Sequence, residues 1–377
     1  MMPNNEGGAT VFRRSDDKIT TKQGAVFLTN TVLGAGILTL PRGVTEQVQT
    51  PDAWLSVLIG GGIVIFVVWI MVKLSQQFPG KTVYQYSRRI VGTIPGGILS
   101  VLLILYFIII AGFEIRVLAE VTMFFLLEGT PVWAIVIPFI WVGSYLVFGG
   151  INPIARLYQI VLPISLFFLL FCFLFSLRIF EIDHLRPVLS DGILPVIKGL
   201  KSTILVFSGC EVVMTLVAFL QHPEKAFKAM VVGISIPLVL YFLTVVMVIG
   251  GLSVDSTVTS TWPTINLMRS FEIPGFLFER LEFPLLVIWV MQMFCNFCSF
   301  FFNASLGVSE VFGLKYRYAI FGLIPLIFIS TMTPVRMTEV FSLGDEIGYM
   351  GIVLFFLIPV FLSIVFMIRK KGLKQNV

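Results

Sequence analysis

VLGAGILTLP, Val32 to Pro41, sets Gly34 and Gly36 on either side of Ala35 near the middle of the first long apolar run of the chain. A glycine inside a helix lowers its stability by about 1 kcal/mol relative to alanine, and two around one residue invite unwinding. In hydrocarbon each unpaired backbone group costs several kcal/mol, so an unwound stretch must face protein or a polar cavity. The pair therefore either admits a neighbouring helix at close range or marks a broken span. A second stretch, LVFSGCEVV from Leu205 to Val213, again interrupts an apolar run with small residues, Ser208, Gly209 and Cys210, and adds the carboxyl group of Glu211.

Outward from these two stretches, composition fixes the class. Of 377 residues, 57% are hydrophobic and 12% charged, and charge-free runs of about 20 residues recur, the length that crosses a bilayer. The expectation is an all-α polytopic membrane protein. Residues 1–21 lack an apolar signal core, carry Asp16 and Asp17, and read as a cytoplasmic tail. Run length predicts ten spans near 22–46, 53–74, 97–127, 131–149, 152–178, 192–221, 226–252, 281–307, 316–333 and 347–368, forming one domain over 22–368, with residues 369–377 as a basic cytoplasmic tail. With both termini inside, most of the 26 basic residues fall on the cytoplasmic side, as topology requires. The net charge of +5 reflects that asymmetry and gives a nucleic-acid partner no footing; the partner implied by composition is membrane lipid.

Two connectors stand out. Phe78 to Gly97 places Val83, Tyr86 and Ile90 opposite Lys81, Arg88 and Arg89, either as an amphipathic helix along the inner surface or as a solvated basic loop. Thr261 to Phe283 is long and apolar, and is expected to fold back over the bundle as a lid.

Spans one and six open two five-span halves, about 22–178 and 192–368, that run in opposite directions. That is the pattern of an inverted repeat with a ligand site at the midplane. The N–H groups at the start of a half-helix favour an anion and the carbonyls at its end a cation. A zwitterionic amino acid suits the pair, with its carboxylate at the N–H groups of Ala35, Gly36 and Ile37 and its ammonium at the carbonyls of Phe207 and Ser208.

The elements GAGIL and FSGCE resemble the broken first and sixth helices of the amino acid, polyamine and organocation transporter superfamily. GAGILTLP, FPGKTVYQYS, INPIARLYQIVLP, IDHLRPVLSDGILPVIKG, FSGCE, HPEKAFKA and the basic C-terminus, in this order, more narrowly resemble the spore germination permease family, the membrane-embedded B subunits of nutrient germinant receptors. The resemblance implies a fold of the bacterial leucine-transporter type with broken helices one and six. It also implies binding of a small germinant, assembly with a larger A subunit and a lipoprotein C subunit, and residence in the spore inner membrane.

Charges inside spans need a partner, a proton or a cavity. Arg116 and Glu120 are spaced to pair on one face of span three. Glu114 reads either as a buried protonated side chain or as a site or relay residue, and Glu211 either as a cap for its own break or as a ligand contact. Asn296, Ser299 and Asn303 form a polar stripe in span eight, suited to a site or to interhelical bonding. Tyr106 and Phe113 are candidate pocket walls. Cys295 and Cys298 form C-x-x-C in an apolar helix and, like Cys172 and Cys210, read as buried small residues; no metal or cofactor is expected. His184 and His222 lie on opposite sides of the membrane, which leaves no histidine-based catalytic cluster and argues against an enzyme. The remaining alternatives are a receptor subunit and a secondary transporter. In sodium-independent members of the resembled superfamily a basic residue within span five can stand in for a coupling cation; here Arg156 sits near its inner end and the middle is uncharged.

Overall fold

The computed structural model describes residues 17–270 and 282–373. Residues 1–16 of the expected N-terminal tail, 271–281 of the expected lid and the last four of the basic tail lie outside them. Span one is two helices, α1 (Thr21–Val32) and α2 (Gly36–Val48), bent by 56° at the break. A capping box starts α1: the Thr20 hydroxyl accepts from the Gln23 N–H at 3.2 Å, and the Gln23 side chain accepts from the Thr20 N–H at 2.9 Å, so two otherwise orphaned donors are satisfied together. Next come α3 (Ala53–Ser75), the short α4 (Val83–Val91), α5 (Thr93–Phe125), α6 (Val132–Phe148) and α7 (Ile151–Ser176).

The second half repeats the first. α8 (Leu194–Val206) is followed across a 53° bend by the tight turns Cys210–Phe219, whose middle is α9 (Val213–Leu216). Then follow α10 (Ala226–Leu252), the short α11 (Val254–Thr259) and α12 (Pro263–Arg269), α13 (Glu282–Phe312), α14 (Tyr316–Met332), α15 (Met337–Gly351) and, through a π turn at Ile352–Leu357, α16 (Ile358–Leu373). Among the described residues six helical segments have the length and apolarity to cross a membrane, and the two bent pairs make eight; the expected fourth and ninth spans, α6 and α14, have 17 residues each, the short end of what a bilayer accepts.

Packing follows the repeat. α1 lies on α10, and in the other half α8 lies on α3. The second interface is very tight: a Cβ on Gly199 would stand 2.5 Å from Ser56 Oγ, and one on Gly60 2.5 Å from Thr203 Cγ2. The Ser56 hydroxyl uses that proximity to donate to the Val196 carbonyl at 2.8 Å. Small residues thus replace the hydrophobic drive that lipid removes.

Two boundaries and the setting of one helix differ from the sequence expectation in ways that have a physical cause. The third span begins at Thr93 rather than 97, because Gly92 at φ 102° turns the chain straight out of α4. α4 is helical as its spacing predicts, but Val83, Tyr84, Tyr86 and Ile90 are buried in protein, and Tyr86 stacks on Phe78 at 5.4 Å. Its apolar face is spent on the bundle rather than on lipid. The tenth span begins at Met337, ten residues before the apolar run; Glu339, Asp345 and Glu346 hid that stretch because α15 has an exposed polar side.

Candidate functional site

α1 ends at Val32, and Leu33 leaves the helical region at ψ 81°. The last four carbonyls of a helix have no partner within it, and here the bundle supplies them. Thr29 O takes the Leu33 N–H at 2.9 Å, Asn30 O the Gln292 amide at 3.1 Å, Thr31 O the Asn296 amide at 2.5 Å and Val32 O the Tyr241 hydroxyl at 2.7 Å. The same Tyr241 hydroxyl lies 3.4 Å from Val206 O, at the end of α8. One phenol on α10 therefore ties the ends of both first half-helices together.

The second break closes differently. Gly209 adopts φ 108°, which an L side chain rarely tolerates, and a Cβ there would stand 2.9 Å from Thr31 O. Its N–H donates to Glu211 Oε2 at 2.8 Å, so the carboxyl group caps its own turn. The opposite oxygen of Glu211, the Tyr106 hydroxyl and the Ser208 hydroxyl are buried without a hydrogen-bond partner in the protein, and a Cβ on Gly351 would lie 3.1 Å from Ser208 Oγ and 3.3 Å from Tyr106 Oη. These groups gather beside the π turn, a helix irregularity that occurs often at functional sites.

Between the breaks lies a cavity of about 400 Å³ walled by α2, α5, α8, α13, α15 and the chain entering α12. At its deep end are Gly34, Ala35, Glu114, Asn296 and Ser208; Ile110, Phe113, Val117 and Val340 form apolar walls; Arg42, Glu46, Trp262, Phe341 and Asp345 lie towards the exposed side. Glu114 is 7% exposed. Its Oε2 has no partner, and a Cβ on Gly34 would meet that oxygen at 3.1 Å and the Asn296 amide nitrogen at 2.6 Å. Gly34 is the opening through which both side chains approach the break.

Of the residues singled out in the sequence, Gly34, Ala35, Gly36, Phe113, Glu114, Ser208 and Asn296 line this cavity. Ile37 does not; its carbonyl accepts from Thr264 of α12 at 2.8 Å, the described part of the expected lid. Phe207 is fully buried edge-on to Tyr241 at 5.4 Å, and its carbonyl takes the Cys210 N–H at 3.2 Å. Gly209, Cys210, Glu211 and Tyr106 sit behind Ser208 rather than on the wall. Ser299 and Asn303 face away from the cavity: Ser299 bonds Thr31 at 2.7 Å and Tyr158 at 2.7 Å, while Asn303 donates to Ser299 O at 2.8 Å and receives Tyr84 at 3.0 Å. The polar stripe serves the site at Asn296 and helix packing below it. Arg116 and Glu120 form the expected pair, at 2.6 Å. Tyr241, Trp262 and the α15 residues escaped the sequence reading; an aromatic in an apolar helix carries no local mark of the carbonyls it will reach.

Broken first and sixth spans around a midplane cavity define the inverted-repeat fold of leucine-transporter type, and solved structures bear this out. MhsT in complex with L-phenylalanine superposes with a TM-score of 0.71 at 12% identity, over 93% of this chain and 98% of that one. Mhp1, a nucleobase-cation-symport-1 family transporter with bromovinylhydantoin bound, gives 0.69 at 12% identity, over 98% and 82%. The family is narrower than the fold. Residues 18–340 match the Spore_permease family model, described as spore germination protein. "Spore germination protein YndE" of Bacillus subtilis (strain 168) is 48% identical over 95% of this chain and 98% of its own; "Spore germination protein B2" of the same organism is 35% identical over 96% and 98%. The chain belongs to the spore germination permease family and is a multi-pass membrane protein.

Proposed function

We propose that this chain is the ligand-binding membrane subunit of a spore germinant receptor, taking a small nutrient, an amino acid, into the cavity between its two breaks and relaying occupancy as a change of conformation. The observation that carries the reading is the cavity itself, which is of ligand size, walled by both interrupted spans and open on one side. Its opposite end is shut: Ile19 pairs with the end of span six, donating its N–H to Phe219 O and accepting from Gln221 N–H, both at 2.9 Å. With both termini cytoplasmic and the chain in the spore inner membrane, this is an outward-facing state. Residues 22–368 act as one permease-like domain of two inverted repeats, 22–178 and 192–368, and the signal passes to a larger A-type subunit and a lipoprotein C-type subunit. A ligand shifts such an equilibrium only by binding one state better than the other; net flux is not required.

The fold favours one competing reading, an amino acid secondary transporter, since the solved neighbours include a Na+-coupled symporter. Against cation coupling stands Tyr158, in the first half of span five, whose hydroxyl reaches Cys295 O and Ser299 Oγ and so joins α7 to α13 directly. Vesicles containing the purified chain decide between them. A receptor subunit binds labelled amino acid to saturation without accumulating it, whereas concentrative uptake driven by a proton or sodium gradient rejects the sensor reading.

A further inference from the structure

Two buried acceptors at the deep end of the cavity have no partner, beside the equally unpartnered hydroxyl of Ser208. Glu114 Oε2 and Asn296 Oδ1 have no partner, their residues are 7% and 2% exposed, and both side chains stand against Gly34. The orientation of the Asn296 amide is fixed, because Thr31 O at 2.5 Å requires the nitrogen, so the atom left without a partner is the oxygen. The Glu114 carboxyl group stands against the first break beside Gly34, where a ligand carboxylate directed at the Ala35 N–H would have to come. The C-terminal carbonyls of α1 are taken. What remains, beside the Ser208 hydroxyl and the first N–H groups of α2, is a pair of acceptors without a partner, in a cavity whose described walls carry three carboxyl groups, Glu46, Glu114 and Asp345, against one guanidinium. That guanidinium, Arg42, is paired with Glu46 at 3.9 Å.

An ammonium group, with three donors and no acceptor, complements this arrangement; a carboxylate brought to the same place meets another carboxyl group and an amide oxygen. We propose that the cavity recognises its ligand through an ammonium group held between Glu114 and Asn296, so that the amine of the ligand is required and its carboxylate is dispensable. The inference rests on the cavity being the ligand site and differs from the orientation expected from sequence, in which the ligand carboxylate sits at Ala35.

The test uses the full-length chain in lipid nanodiscs and does not need the natural ligand. Dicyclohexylcarbodiimide labels a carboxyl group in an apolar site, and peptide mass spectrometry reads the fraction of Glu114 modified. Three probe series of matched size are offered: primary amines from methylamine to phenethylamine, the corresponding carboxylic acids, and the corresponding alcohols. Amines of at least one size are expected to protect Glu114, and acids and alcohols to leave it exposed. Glu114→Gln is expected to weaken binding of the best amine, followed by calorimetry, by about 10- to 100-fold, the worth of a charge-assisted hydrogen bond, with an unchanged melting temperature as evidence of folding. Glu114→Asp should retain part of that affinity. Protection by acids or alcohols but not by amines overturns the inference while keeping the cavity as a ligand site. Protection by sodium ion equal to that by any amine overturns it in favour of an inorganic cation. If no series protects and none shifts the melting temperature, both the inference and the cavity reading fall.

Discussion

The two breaks have the same length of interruption and nearly the same bend, 56° and 53°, yet they are held open by opposite means. At the first, the freed carbonyls of α1 are answered by side chains from distant helices: Gln292 and Asn296 on α13, and Tyr241 on α10. At the second, the turn answers itself, through the left-handed Gly209 and the carboxyl group of Glu211 two residues on. One break depends on the tertiary structure and the other is encoded locally. Both breaks reach the cavity, the second through Ser208, but at the dependent break a ligand can compete for the partners of the freed carbonyls, while the self-closed turn is fixed by its own residues.

The contrast can be broken most forcefully at Gly209. Gly209→Ala forces an L side chain into φ 108° and against Thr31 O. The strain alone is worth about 1–3 kcal/mol, and displacement of Thr31 adds to it. A clear fall in the melting temperature of the purified chain is expected, whereas Gly62→Ala, with open space around the added carbon, should leave it in place. An unaltered Gly209→Ala protein means that the second break is not held by its own backbone. The next effect is at Tyr241. Tyr241→Phe keeps the ring against Phe207 but removes the hydroxyl from Val32 O and Val206 O, leaving buried acceptors at a cost of about 1–3 kcal/mol. Ligand response should fall with stability, because the deleted atom joins both breaks; a loss of stability with full response separates the bridge from the site. The smallest effect is expected at Glu211→Gln, whose amide oxygen can still accept the Gly209 N–H, so stability should change by less than about 1 kcal/mol. Glu211→Ala removes that acceptor and should cost more. Equal melting temperatures for the two variants would deny the capping role.

Much of this fold could be read from run lengths and from two clusters of small residues, because losing a helix inside hydrocarbon requires poor helix formers and those are visible locally. Gly34, Gly36 and Gly209 therefore pointed to the breaks. The partners were not visible, since Asn296 lies 265 residues from Thr31 and Tyr241 lies 209 from Val32; nothing around either residue announces which carbonyl it will meet. Glu114 was legible as an anomaly in span three but not in its direction, which depends on how α5 is rotated against the break. The α15 wall was missed for a different reason: a helix with one face on a polar cavity does not present an unbroken apolar run.

Ile19 and Leu220 form the one isolated parallel bridge among the described residues, and it has a mechanical consequence. Strand-like pairing resists being pulled apart lengthwise far more than two side chains in contact do, so the segment entering the first span and the segment leaving the second broken one translate together. A displacement of Ile19 would thereby reach the turn at Gly209 along about a dozen residues of chain, without crossing the cavity at all.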